Sequence, residues 1–175
     1  RTIIVCFRNE ADWEFDLKLR KKSCSSFFAS NKIKKSSNRK TIQDMLEKKE
    51  VEERYYYRQS AYNYNELRKS IVKKDTAYQW RRVYVRENQS KLCPTLTANM
   101  GTGGHNVPLI HDDYGIRKLT PKECFRFQGF RNIKFPKDVP NTQRYKQAGN
   151  LVTVDLIEKI AILIKKSLNE IKDVL

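Results

Sequence analysis

At 175 residues the chain has room for one ordinary domain, or for a small domain and part of another. Apolar residues make up 39%, enough for a core, so a disordered chain is excluded, and no apolar run reaches the length of a membrane span. Lys and Arg number 36 against 20 Asp and Glu, a net charge of +16 whose self-repulsion opposes compaction and points to a polyanionic partner.

Nucleic acid is the first partner of that kind. An anionic membrane surface fits less well, because the basic residues are interspersed with aromatics rather than set along one amphipathic helix. Cys6, Cys24, Cys93 and Cys124 are scattered, with no Cys-x-x-Cys pair. His105 and His111 lie far from any paired cysteine, so no metal site is expected. Reduced thiols and the absence of a signal-peptide pattern give the expectation of a cytoplasmic protein.

The chain opens on Thr2-Ile3-Ile4-Val5-Cys6-Phe7, a strand-like run with no initiator Met before it. A strand cannot stand alone, so sheet neighbours are expected upstream and the chain reads as a fragment. Residues 16–50 are rich in Lys and Ser, and Ser25-Ser26 and Ser36-Ser37-Asn38 predict loops. Within them Thr41 to Leu46 predicts a short helix, with Thr41 near its N-terminus and Asp44 in its first turn. Residues 51–111 mix aromatic with basic side chains, then become Gly-rich at Gly101-Thr102-Gly103-Gly104, a loop suited to close backbone approach. From residue 112 a globular texture returns. A helix is predicted to begin near Thr120, with Thr120 as N-cap, Pro121 in the first turn and Glu123 completing a capping box. Another is predicted from just after Gly149-Asn150 toward Leu168. Its apolar Val154, Ile157, Ala161, Ile164 and Leu168 recur at three- and four-residue steps and predict a core-facing side.

Three stretches carry chemistry. In Tyr78-Gln79-Trp80-Arg81-Arg82-Val83-Tyr84-Val85-Arg86, arginines suited to bidentate pairing with guanine stand beside aromatics, and lysines such as Lys73 nearby would neutralise phosphate. Arg82 and Tyr84 alternate with Val83 and Val85, so on one strand the polar pair would share a face. By texture alone the same stretch is equally a solvated face of a basic protein. Cys93-Pro94-Thr95-Leu96-Thr97-Ala98 leads into the Gly-rich loop, and hydroxyls beside exposed backbone suit phosphate contact. No Lys-Ser/Thr follows the glycines, so this is not a nucleotide-triphosphate loop. The third stretch runs from Arg117 through Leu119-Thr120-Pro121-Lys122-Glu123-Cys124-Phe125-Arg126-Phe127-Gln128-Gly129-Phe130, followed by Gln147-Ala148-Gly149-Asn150-Leu151-Val152.

The last two segments resemble motifs IX and X of bacterial C5-cytosine DNA methyltransferases. Arg1 to Asn9 is similar to the end of their motif VIII, and Pro94-Thr95-Leu96-Thr97-Ala98 resembles their Thr-Leu-Thr-Ala element. The resemblance implies an α+β chain, with a small irregular β-rich target recognition domain plus a remnant of an α/β (Rossmann-like) methyltransferase domain. Residues 1–15 would be a strand of the catalytic domain, 16–111 the recognition domain, and 112–175 the motif IX and X segment returning to the catalytic domain. Residues 16–67 carry no resemblance of their own.

Such enzymes attack C6 of a flipped cytosine with a Cys thiolate and transfer methyl from S-adenosyl-L-methionine to C5. Their Pro-Cys-Gln and Glu-Asn-Val elements do not occur here, so the chain is expected to be inactive alone and to act with an N-terminal catalytic half, in the same chain or as a separate subunit. Arg1 resembles the residue that contacts O2 of the flipped cytosine. The resemblance aligns Gln79 with the side chain that fills the vacated space and Thr95 with a hydroxyl that pins a phosphate; together with Arg81, Arg82, Tyr84, Arg86, Thr97, Gly103 and Gly104, candidates by their own chemistry, they are expected on double-stranded DNA. Asn150 and Leu151 fall where motif X lines the S-adenosyl-L-methionine pocket, although a small residue is usual at Leu151. Glu123 and Arg126 are expected to brace the recognition domain rather than to do chemistry. A place in a restriction-modification system is implied too. The alternative is a non-catalytic, sequence-specific DNA-binding module, which would have no use for Arg1 or motif X.

Overall fold

The structure, a computed structural model, describes residues 33, 40–81, 83–89, 92–102 and 107–172. The strand expected at 2–7 lies outside them. Two units divide the chain: Ser37–Ile157, and a second that includes the helical segment from Glu158.

Short runs of alternating side chains build an antiparallel sheet in the first of these units. β1 (Tyr78–Arg81) pairs with β2 (Tyr84–Glu87), and β3 (Leu109–His111) with β4 (Ile116–Lys118), in the order β2-β1-β3-β4. The helices are α1 (Tyr64–Ser70), α2 (Pro121–Phe127), α3 (Asn141–Asn150) and α4 (Val154–Lys172), with 3-10 turns at Gln43–Met45 and Glu53–Tyr55. The class is α+β. Successive residues of a strand point to opposite faces, so neighbouring Leu109 and Ile110 enter different cores. Leu109 joins Tyr78, Ile116 and the Leu67 and Ile71 supplied by α1 and its C-cap. Ile110 joins a larger cluster with Ile42, Leu96, Met100, Leu119, Phe125 and Tyr145. The expected division at residues 111/112 falls between β3 and β4, which pair Leu109↔Lys118, Ile110↔Arg117 and His111↔Ile116.

The capping residues act as predicted at α2. The Thr120 hydroxyl accepts from the Glu123 amide at 3.2 Å, and the Glu123 carboxylate accepts from the Thr120 amide at 2.7 Å. Such a cap contributes about 1 kcal/mol. The helix predicted over 41–46 shrinks to the 3-10 turn Gln43–Met45. Thr41 does donate twice to the Asp44 carboxylate, at 2.7 and 2.8 Å, but Leu46 turns extended (φ −76°, ψ 156°). Ile42 and Leu46 are both buried in the larger core, and packing them outweighs propagating a helix this short.

The helix predicted after Gly149-Asn150 is present as α4 (Val154–Lys172), while Gly149-Asn150 themselves form the last turn of α3, which Leu151 ends in extended conformation (φ −64°, ψ 154°). Glycine near a polar run reads as a helix breaker, whereas here it lies inside a helix at a position where the Thr97 backbone leaves no room for a side chain. The side of α4 expected in the core is largely outside it: Val154 and Ile157 are 37% and 42% exposed, Ala161 is exposed, and Ile160 at 8% is the buried residue. Periodicity marks a face suited to burial but names no partner for it. Among the described residues, no helix is long and apolar enough to cross a membrane, and no three His, Cys, Asp or Glu side chains group as a metal site.

Candidate nucleic-acid interface

The stretch expected as a single strand around Arg82 to Val85 is a hairpin, with Arg81↔Tyr84, Trp80↔Val85, Gln79↔Arg86 and Tyr78↔Glu87 opposite one another. This register sorts its side chains by face. Tyr78, Trp80 and Val85 pack with Leu67 and Ile71 on the apolar side. Gln79, Arg81, Tyr84 and Arg86 share the other side, so the polar set that shares a face is this quartet. Along β1 that face changes from core to surface: Ala77 is buried, Gln79 is 9% exposed, and Arg81 is exposed. The Arg81 guanidinium donates to Gln79 Oε1 at 2.9 Å.

The segment after Cys93 alternates in the same way. Pro94 and Leu96 are buried while Thr95 and Thr97 are exposed. Across from the hairpin it closes a cleft of about 390 Å³ lined by Gln79, Arg81, Arg86, Asn88, Leu92, Cys93, Pro94, Thr95 and Thr97. Five residues assigned to DNA from the sequence therefore meet in one concavity with two guanidinium groups and two hydroxyls. Tyr84 stands exposed beside it. Arg1, Arg82, Gly103 and Gly104 lie outside the described residues. Sequence reasoning passed over Asn88 and Leu92, which are joined by a bond from the Asn88 amide to the Leu92 carbonyl; an Asn after a strand is a turn signal that could have found them. Burial pushes the Cys93 thiol up to about 12, and the fully buried Cys124 well above its ordinary value, so neither is a ready nucleophile. Lys73, expected on phosphate, is ion-paired with Glu87 at 2.8 Å, and that carboxylate raises its pKa.

The threonine segment is held by two close approaches to α3. A Cβ on Gly149 would stand 2.2 Å from the Thr97 carbonyl carbon and oxygen, and one on Gly101 would stand 2.9 Å from Tyr145 Cβ. Thr97 Oγ1 donates to Asn99 Oδ1 at 2.8 Å, and Met100 is fully buried between these contacts. The motif that carries Asn150 and the segment that carries Thr97 thus touch backbone to backbone. Asn150 is exposed at the end of α3, and Leu151 packs half-buried against the larger core.

A buried cation braces this arrangement. Arg117 on β4 donates to both carboxylate oxygens of Glu123 at 2.8 and 2.7 Å, and to Asp112 at 2.5 Å. The side chains of Arg117 and Glu123 are both fully buried. Glu123 also accepts from the Glu47 amide at 2.8 Å, and Arg126 pairs with the Glu47 carboxylate at 2.9 Å. Glu123 and Arg126 therefore tie α2 to the 45–47 segment, with no described contact to the cleft.

A family model for the C-5 cytosine-specific DNA methylase matches residues 1–166. The type II methyltransferase M.Bsp6I of Bacillus sp. (strain RFL6) is 51% identical over 130 residues, which are 73% of this chain and 41% of that protein. The orphan methyltransferase M.Rho11sI of Bacillus phage rho11s is 51% identical over 72 residues, 38% of this chain and 14% of its own. The chain thus spans well under half the length of these relatives. Among solved structures, the S. pombe Dnmt2 methyltransferase matches with a TM-score of 0.55 over 84% of this chain and 47% of its own; at 20% identity the likeness is one of fold.

Proposed function

The chain belongs to the C-5 cytosine-specific DNA methylase family, and on that premise we propose that it is the DNA-recognition and C-terminal portion of a DNA (cytosine-5-)-methyltransferase that works in a restriction-modification system. The observation that carries the reading is the cleft: Gln79, Arg81, Arg86, Thr95 and Thr97, separated in sequence, line one basic concavity. Its arginines suit base edges and phosphates, and its threonine hydroxyls suit phosphate. Residues 16–111 act as the target recognition domain, and residues 112–175, with motifs IX and X, return to the catalytic domain.

The remaining parts of the reaction fall to groups at the edges of this region. Arg1 would lie against O2 of the flipped cytosine and stabilise charge that develops on the ring. Asn150 offers an exposed amide beside the half-buried side chain of Leu151, a set that fits one wall of an S-adenosyl-L-methionine pocket. That cofactor supplies the methyl group when bound. The nucleophilic cysteine and the other walls come from an N-terminal catalytic half, in the same chain or as a second subunit.

Duplex binding tests the reading. Log affinity of the chain should fall with log salt at about −0.9 per phosphate contact, and Arg86→Ala should reduce that slope by about one contact. Alone, the chain should not be trapped on 5-fluorocytosine duplex; combined with the catalytic half of a close relative, it should be. Salt-independent binding, or trapping by the isolated chain, would overturn the assignment.

A further inference from the structure

The two arginines of the cleft are held differently. Arg81 and Arg86 are both exposed, and both line the concavity. Among the described residues Arg86 has no hydrogen-bond or ion-pair partner. Arg81 has one, since its Nη2 donates to Gln79 Oε1 at 2.9 Å. Gln79 and Arg81 are two apart on β1, so their side chains leave the same face of the strand.

Gln79 is the fixed member of this pair. It is 9% exposed, and its backbone lies mid-strand, opposite Arg86 of β2. A guanidinium carries its donors in a rigid planar fork, so one bond to a fixed acceptor sets the plane and leaves the remaining donors available. The acceptor is a neutral amide. A carboxylate in its place would cancel the charge of Arg81 and compete with an incoming ligand, whereas the amide orients the fork and leaves the charge intact. Phosphate has little need of such orientation, because it attracts a cation from many directions. The paired O6 and N7 acceptors of guanine do need it, since both must meet the fork in one plane.

We infer that Gln79 is a positioning residue that holds the Arg81 guanidinium for bidentate contact with one guanine of the recognised site, while the unheld Arg86 serves phosphate. The inference rests on the DNA-binding role proposed above. It gives Gln79 a task other than its alignment suggests, because Gln79 acts through Arg81 and stays out of the duplex.

Binding of the full chain to a pool of duplexes with a randomised central segment, followed by sequencing of the bound fraction, reads base preference position by position. The parent should enrich guanine at a position where Arg81→Lys loses it, since lysine supplies charge without the fork. Gln79→Ala should cut the enrichment at that same position by roughly three- to tenfold, the effect of ordering one long side chain on binding, and leave affinity for the unselected pool within about twofold. Gln79→Glu retains an acceptor for Arg81 and should keep the guanine preference, at lower affinity on every sequence because its charge opposes phosphate. Partial unfolding of a variant scales all sequences equally, so a change confined to one position is not a folding effect. The positioning role alone is overturned by a parent or an Arg81→Lys variant that departs from this pattern, by Gln79→Ala acting at another position, at all positions equally or at none, or by loss of the preference in Gln79→Glu. Failure of the parent to bind duplex overturns the DNA-binding role as well.

Discussion

Arg117→Met is expected to lower the stability of the chain by about 3–5 kcal/mol, read as a fall in the urea midpoint at unchanged slope. The reason lies less in the ion pair's own strength than in what its loss leaves behind. Glu123 has no side-chain exposure, and without the guanidinium its charge would keep only the backbone amides of Thr120 and Glu47. Asp112 would lose its 2.5 Å partner as well. Domains of this size are stable by roughly 5–15 kcal/mol, so the variant should sit near its unfolding threshold. The double replacement Arg117→Met with Glu123→Leu removes both charges at the cost of the α2 capping box, about 1 kcal/mol, and should lose less than the single variant. A single-variant loss below about 1 kcal/mol, or a double variant worse than the single, would show that the pair is not the brace described here.

Gly149→Ala is expected to destabilise the chain and weaken duplex binding together. Two effects oppose each other at this position. Alanine favours a helix over glycine by about 1 kcal/mol, and Gly149 is helical. The added Cβ, however, would stand 2.2 Å from the Thr97 carbonyl and 2.5 Å from the Ala98 amide nitrogen. These are backbone atoms that cannot rotate away, so the threonine segment or the end of α3 must move by more than an ångström. Overpacking of this kind typically costs 1–3 kcal/mol, and it exceeds the helical gain. The displaced segment carries Thr95 and Thr97, so duplex affinity should fall further than the stability loss alone explains. Gln147→Ala, two residues away and exposed, serves as the control and should stay within about 0.5 kcal/mol of the parent. Equal stability of Gly149→Ala and Gln147→Ala would mean that the close approach is not tight in solution.

Much of the local structure was legible in the residues themselves. Thr120, Pro121 and Glu123 announce the start of α2 because a capping box satisfies its orphan amides using side chains three apart, a purely local bond. The α+β class and the family followed from ordered motifs, and the basic charge pointed to a polyanion. The arginines near Gln79 and the hydroxyls of Thr95 and Thr97 could be named as candidates because their chemistry does not depend on the fold.

What the residues could not decide was anything set by contacts distant in sequence. The hairpin turn between Arg81 and Tyr84, and with it the sharing of a face by Gln79, Arg81, Tyr84 and Arg86, depends on where β1 finds a partner. A one-residue change in that register would exchange every face. Gly149 is a helix breaker by propensity, yet it lies inside α3 at a point where Thr97 approaches too closely for any side chain. Arg117 reads as one more cation in a basic chain until Asp112 and Glu123 enclose it. Sequence determined the caps, the composition and the chemical candidates, since those rest on neighbours a few residues apart. Tertiary structure alone decided which candidates meet in one cleft and which cation is buried, since burial and close approach are properties of segments brought together from across the chain.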